Sequence, residues 1–257
     1  MAVDTAFDEA LNRVSELFEK LKGAWDDIVD GVNHVLSILP GFLEGPVKSA
    51  CQKCSSKVAE VFDEITKLFN ERGSASALRT AGESWNEQVG RRASTQAGLL
   101  TKEALETDNE WTGDAADRYG EAVTAQGKAL TQIKTITDNL QTTLNEIASA
   151  LRAFWIGIAV AFGAYVASMI GCIIGAATVV GTIPSLIAAL GFSVTFLGAV
   201  ATLSNNFANS LDEKKAKLEQ QSTMDGQFVN GNWPHAVADK MSDASVRDGD
   251  KSDWTPK

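Results

Sequence analysis

Between Arg152 and Asp212 the chain carries no charged side chain. That run constrains the fold more than any other feature, because it exceeds the roughly 20 apolar residues of one membrane crossing. It opens with Ala153-Phe154-Trp155-Ile156 and closes near Ser204-Asn205-Asn206. Gly181-Thr182-Ile183-Pro184-Ser185 interrupts it. Proline lacks the N–H that a continuing helix needs, so the break reads as a hairpin tip centred on Gly181 and Pro184. The expectation is two apolar helices, 153–181 and 185–205, folded back on each other.

Glycines punctuate both arms, at Gly157, Gly163, Gly171, Gly175, Gly191 and Gly198. Glycine costs about 1 kcal/mol in a water-exposed helix, so their number favours tight packing. Gly171-Cys172-Ile173-Ile174-Gly175 has the small-xxx-small spacing that lets helix backbones approach closely in lipid. Gly163, Gly171, Gly175, Gly191 and Gly198 are therefore the candidate packing face. The tip has no charge to drag across a bilayer, while Arg152 precedes the run and Lys214, Lys215 and Lys217 follow it. Both outer ends would then stay on one side of a membrane. A hairpin buried in a large soluble bundle is the other reading of the same residues.

The rest of the composition agrees with helices. Five prolines, two tyrosines and abundant Ala, Leu, Glu, Lys and Gln suit an all-α chain, and alternating strand patterns with turn pairs are missing. The expected fold is an elongated antiparallel helical bundle with a long apolar hairpin and an irregular C-terminal tail. A net charge of −10 without a dense Lys/Arg cluster argues against nucleic acid as a partner. Met1-Ala2-Val3-Asp4 lacks the basic and apolar regions of a secretory signal peptide. Export by a route that reads folded helices stays compatible.

From Val3 to Leu39 the apolar positions are Val3, Phe7, Leu11, Val14, Phe18, Leu21, Trp25, Ile28, Val32, Val35 and Leu39. Steps of three and four make a heptad seam and predict a long amphipathic helix. Leu39-Pro40-Gly41 stops it, and Gly45-Pro46 is expected to start the next. That helix carries Val47, Cys51, Cys54, Val58, Val61, Ile65 and Leu68 and ends at Arg72-Gly73-Ser74. A third helix has its seam at Leu78, Ala81, Trp85, Val89 and, further on, Leu99, Leu100 and Ala104, and fades toward Thr107-Asp108-Asn109-Glu110. A fourth, from Ala116 through Tyr119, Val123, Leu130 and Leu140 to Leu151, runs without a break into the apolar hairpin. After Met224 the chain turns Asp-, Gly-, Ser- and Asn-rich, and Trp233 and Trp254 stand out as candidates to dock on the bundle. The segments are thus 1–72, a heptad helix pair; 73–152, a helical hairpin; 153–210, the apolar hairpin; and 211–257, a charged helix end and tail.

Between the third and fourth helices stands Trp111-Thr112-Gly113, followed by Asp114-Ala115-Ala116 and Tyr119. Physically, Gly113 permits a tight turn and the Trp111 indole can plug the end of a helix pair. Over roughly 75–152 this resembles the WXG100 family, the small helical-hairpin proteins of type VII (ESX-like) secretion. The resemblance implies the type VII secretion machinery as a partner. It also implies pairing with a second helical WXG100-like protein, or self-association. The chain departs from the family in lacking a C-terminal Tyr-x-x-x-Asp/Glu signal, since Val123 stands four after Tyr119 and Met169 four after Tyr165.

Chemistry-bearing constellations are sparse. Cys51-Gln52-Lys53-Cys54 has no βαβ context for redox work, and His34 and His235 are the only histidines for a metal site. Core thiols, a disulfide and a metal site stay open for the cysteines, with helical spacing favouring core. No phosphate loop, nucleophile order or isolated carboxylate pair is visible, so neither catalysis nor a cofactor or metal is expected. The leading expectation is a type VII secretion-associated helical protein, exported without a signal peptide or membrane-associated, whose hairpin enters a lipid membrane. Oligomerised, such hairpins could form a pore, as in a toxin-like effector. The alternative is a non-catalytic adaptor whose hairpin is soluble core or a simple anchor.

Overall fold

Heptad seams that must be buried over their whole length dictate a helical bundle, and a computed structural model shows one. It describes residues 4–101, 104, 111–112, 114–222, 226–234 and 255–256. Helices α1 (Thr5–Ile38) and α2 (Gly41–Asn70) are joined by a turn at Leu39-Pro40. Helix α3 (Ala75–Trp85) passes through a π turn (Asn86–Gly90) into α4 (Arg91–Leu99). Two long helices follow, α5 (Asp114–Ala176) and α6 (Thr182–Ser222). The described residues hold one extended pairing, antiparallel, of Trp111–Thr112 with Thr255–Pro256.

Asp4 caps α1, its Oδ1 accepting from the Phe7 N–H at 3.3 Å. The buried seam of α1 is Phe7, Ala10, Val14, Leu17, Leu21, Ala24, Ile28, Gly31, Val32 and Val35. Leu11, Phe18 and Trp25, expected in that seam, are half-buried at its edge. Small residues take the centre because helices approach closely there: a Cβ on Gly31 would lie 3.1 Å from the Ala177 nitrogen. Val3 lies outside the described residues.

Helix α2 begins at Gly41, ahead of the expected Gly45-Pro46 start. Pro40 takes the N-cap position, and Pro46 lies inside the helix, where its ring removes a donor to the Phe42 carbonyl. Val47, Cys54, Val58, Val61 and Ile65 are buried, and Cys51 and Leu68 half-buried. Gly73, at φ +68°, turns the chain into α3.

The chain forms two compact units, Met1–Ser76 with Ile147–Asp212, and Ala77–Glu146 with Glu213–Lys257. In the first, α1 runs parallel to α5. Asp4 meets Arg152 at 3.9 Å, Gly163 faces Leu17, and Gly31 abuts Ala177. Helix α2 runs the other way, with Phe18 edge-on to Phe62 at 5.2 Å and Phe69 5.6 Å from Trp155.

In the second unit the α3–α4 helix packs on the first part of α5. From Ala77 on its buried residues are Gly82, Gly90 and Ala93, whereas the expected seam residues Trp85 and Leu99 are 52% and 56% exposed and Ala81 is exposed too. The π turn, in which the Arg91 N–H donates to the Asn86 carbonyl, inserts extra rotation and moves the seam off its 3.6-residue register. Small residues then serve the close crossing: a Cβ on Gly82 would lie 3.1 Å from Gln141 Cα, and one on Gly90 would collide with Thr137. Residues 226–234 are held on α5, the Gln227 N–H donating to Gln132 Oε1 at 2.6 Å and Gln126 Nε2 to the Pro234 carbonyl at 3.1 Å. Trp233, 6.0 Å from Phe228, belongs to this docked stretch, while Trp254 and His235 lie outside the described residues.

Candidate functional site

The charge-free run folds as two helical arms, 153–176 of α5 and the matching part of α6. Their inner contacts are aromatic and tight. Phe162 and Tyr165 lie 5.2 and 5.1 Å from Phe196, and Phe154 stacks on Phe207 at 5.3 Å. Ser193 Oγ donates to the Ala189 carbonyl, so the buried Tyr165 hydroxyl donates to Ser193 Oγ, 2.9 Å away. Trp155, Ile158, Phe162, Val166 and Met169 are buried within the unit that α1 and α2 share.

The outer face differs. Ile156, Val160, Ala167, Ile170 and Ile174 on α5 and Ile187, Gly191, Val194, Gly198 and Ala201 on α6 are all exposed, at steps of three, four or seven. No charge interrupts them. The exposed faces of α1 and α2 in the same unit carry Asp8, Glu9, Arg13, Glu16, Glu19, Lys22, Lys53, Glu60 and Lys67. Both α5 and α6 are long and apolar enough to cross a membrane. The most apolar 18-residue stretch of each has a mean hydropathy of 2.1, and only 33% of it in α5 and 28% in α6 is buried. Exposed hydroxyls bond back along their own helices, Ser168 to the Ala164 carbonyl, Thr195 to Gly191 and Thr202 to Gly198, each at 2.9 Å.

The five candidate glycines fall into three settings. Gly175 is at the α5–α6 crossing, where a Cβ would collide with Ser185 Oγ and lie 3.4 Å from its Cβ. Gly163 faces α1, an added Cβ meeting Leu17 Cδ1 at an ordinary 3.7 Å. Gly171, Gly191 and Gly198 face open space. The small-residue face is thus not one contiguous contact within a single chain.

The turn of the hairpin is residues 177–181. Gly181 lies in it, and Pro184 lies in the first turn of α6, where a missing N–H leaves no carbonyl unpaired. Thr182, fully buried, locks the turn by donating from Oγ1 to the Ala176 carbonyl at 3.1 Å. That latch was not anticipated from the sequence, in which a threonine at a turn is unremarkable. Val179 and Val180 project from the turn.

Charge gathers at the other end of the arms. Arg152 meets the buried Asp4 carboxylate. In the second unit, Lys214 Nζ lies 3.0 Å from Glu146 Oε2, and Lys217 Nζ 3.8 Å from Oε1. The Lys214 ammonium holds the Glu146 carboxyl below its ordinary range, and the carboxylate raises Lys214 in return. Asp138, bonded by Lys134 and by Asn86 at 2.7 Å, is likewise lowered. Burial pushes the Cys54 thiol up to about 12, so it stays a protonated core group beside the half-buried Cys51. Cys172 is a second buried free thiol.

Of the WXG tripeptide, Trp111 and Thr112 are extended and paired with Thr255–Pro256, and Gly113 lies outside the described residues. Helix α5 begins at the next residue, Asp114. Compared with known proteins, the chain matches no family model, no curated protein and no solved structure.

Proposed function

We propose that this chain is a type VII secretion-associated helical protein whose α5–α6 hairpin inserts into a membrane and, on self-association, opens a pore as a toxin-like effector does. The observation that carries the membrane reading is the contrast inside one unit. Exposed positions on α1 and α2 include many charged side chains, whereas those on the two hairpin arms, within 153–211, carry none and are mainly apolar. Water is a poor solvent for so continuous a face, and a contiguous apolar patch of this kind marks an interaction surface. Residues 153–176 extend about 36 Å at 1.5 Å per residue, enough for a hydrocarbon core of about 30 Å. Helices satisfy their own backbone in lipid, and the Ser168, Thr195 and Thr202 hydroxyls are satisfied by the same helices.

The charged outer faces of α1 and α2 cannot follow into lipid, so insertion separates this pair from the hairpin while α5 and α6 stay joined through their aromatic contacts. The secretion link rests on Trp111-Thr112-Gly113, Ala115-Ala116 and Tyr119, and the antiparallel helices flanking the tripeptide support it. Gly171, Gly191 and Gly198 supply small residues for contacts between copies.

Co-sedimentation with, and dye release from, dye-loaded vesicles tests the reading. Binding with release is expected. Binding without release reduces the hairpin to an anchor. Absence of both means that a protein surface covers the apolar face and the chain is an adaptor module.

A further inference from the structure

Two loops far apart in sequence leave the first unit at the same end. Asp4 stands beside Arg152 at one end of α1, and Gly31 abuts Ala177 near the other. Helices α1 and α5 therefore run in parallel, and the α1–α2 turn and the α5–α6 turn emerge together. This end carries the most exposed large apolar side chains of the described residues, Val180 at 89%, Phe42 at 82% and Ile174 at 81%, with Ile38 and Val179 beside them. His34 and Glu44 are the nearest acidic or basic side chains around the first turn, and the second has none between Arg152 and Asp212. The opposite end holds Asp4, Arg72 and Arg152. The bundle is polarised along its axis as well as across it.

We infer that this two-loop end is the surface that first meets a lipid bilayer, so that the hairpin enters tip-first and not through the side face of α5–α6. The inference rests on the membrane reading above and adds the route. Side chains this exposed project into solvent and do not line a groove, which suits a deformable lipid phase better than a fitted protein pocket. The projecting valines are also continuous with the uncharged arms that must follow them, so no charge crosses the hydrocarbon during entry.

The test compares binding of the full chain to phosphatidylcholine–phosphatidylglycerol vesicles with that of a Phe42→Asp/Val180→Asp double variant and of Val160→Asp. All three positions are at least 70% exposed, so thermal melts should match the wild type. A carboxylate carried to lipid depth weakens partition by roughly tenfold or more. The double variant should lose at least that factor in binding. Val160→Asp, midway along the side face, should still bind and release less dye. The reverse pattern, with Val160→Asp failing to bind and the tip variant binding normally, overturns tip-first entry and leaves the membrane reading standing. Failure of the wild type to bind overturns both. An environment-sensitive dye on Val180→Cys gives an independent check, because it should shift to the blue before dye release begins. A dye on Val160→Cys shifting first overturns the inference.

Discussion

The indole Nε1 of Trp155, at the base of the apolar hairpin, donates to the Arg72 carbonyl at the end of α2, 3.0 Å away. Trp155 is almost wholly buried and also packs on Phe69 and Phe154, so one side chain ties α2 to α5 by both packing and polarity. Trp155→Ala should destabilise the first unit by about 3–5 kcal/mol. Trp155→Phe, which keeps most of the ring and loses the donor, should cost about 1–2 kcal/mol. Urea denaturation followed by far-UV circular dichroism measures both, and equal losses in the two variants rule out the packing role.

If α1 must leave α5 for insertion, a covalent link between them blocks it. In a background with Cys51, Cys54 and Cys172 replaced by alanine, Leu17→Cys/Gly163→Cys sets two thiols at the α1–α5 contact, where a Cβ added to Gly163 would meet Leu17 Cδ1 at 3.7 Å. Oxidised, this variant should release little vesicle dye, and reduction should restore release. Gly175→Cys/Ser185→Cys, with Cβ positions 3.4 Å apart, links α5 to α6 and should release dye in both states. Release by the oxidised Leu17–Gly163 link shows that α1 need not separate.

The glycines should divide by setting. Gly171→Ala, Gly191→Ala and Gly198→Ala add a methyl in open space, and each should stabilise the soluble fold by up to about 1 kcal/mol. Gly175→Leu has no room against Ser185 and should lower the melting temperature of the fold itself. Gly171→Leu with Gly198→Leu should leave the melt intact and abolish dye release. Unchanged release excludes close packing of these positions between copies.

In the second unit, Gly90→Ala forces a methyl onto the buried Thr137 and should cost about 1–3 kcal/mol. Combining it with Thr137→Ala should recover most of the loss, because the two positions share one contact. A double-mutant cycle by thermal denaturation reads the coupling, and additive effects contradict the geometry.

The Glu146–Lys214 pair sets a pH dependence. Glu146 is lowered in the folded chain, so its contribution is present above the ordinary glutamate value of about 4.3 and fades as pH falls through the folded one. Lys214 is raised, so its contribution is complete below the ordinary lysine value of about 10.4 and is lost as pH rises past the folded one. The melting difference between wild type and Glu146→Gln should be flat between these limits and shrink below about pH 4. A difference that persists undiminished into acid excludes the ion pair as its source. The pair is half-buried and still reached by water, so screening should keep the effect modest.

The sequence by itself determined the helical class, the stop at Leu39-Pro40, the unbroken passage of the fourth helix into the hairpin and the absence of charge along it. Each follows from periodicity or from proline and charge chemistry, which act within a few residues along the chain. Tertiary structure decided which faces meet. Gly31, Gly82 and Gly90 sit at the helix crossings because backbone approach depends on a neighbour's shape, which no hydrophobic pattern records. The α3 face that packs runs through Gly82 and leaves Trp85 outside it, and the π turn then shifts the register toward Gly90 and Ala93. The gathering of Ile38, Phe42, Val179 and Val180 at one end needed the parallel run of α1 beside α5. The uncharged Ile38-Leu39-Pro40-Gly41-Phe42 turn was already unusual for a water-facing loop. Packing alone set it beside the hairpin tip, because the burial that aligns those helices is shared between segments more than a hundred residues apart.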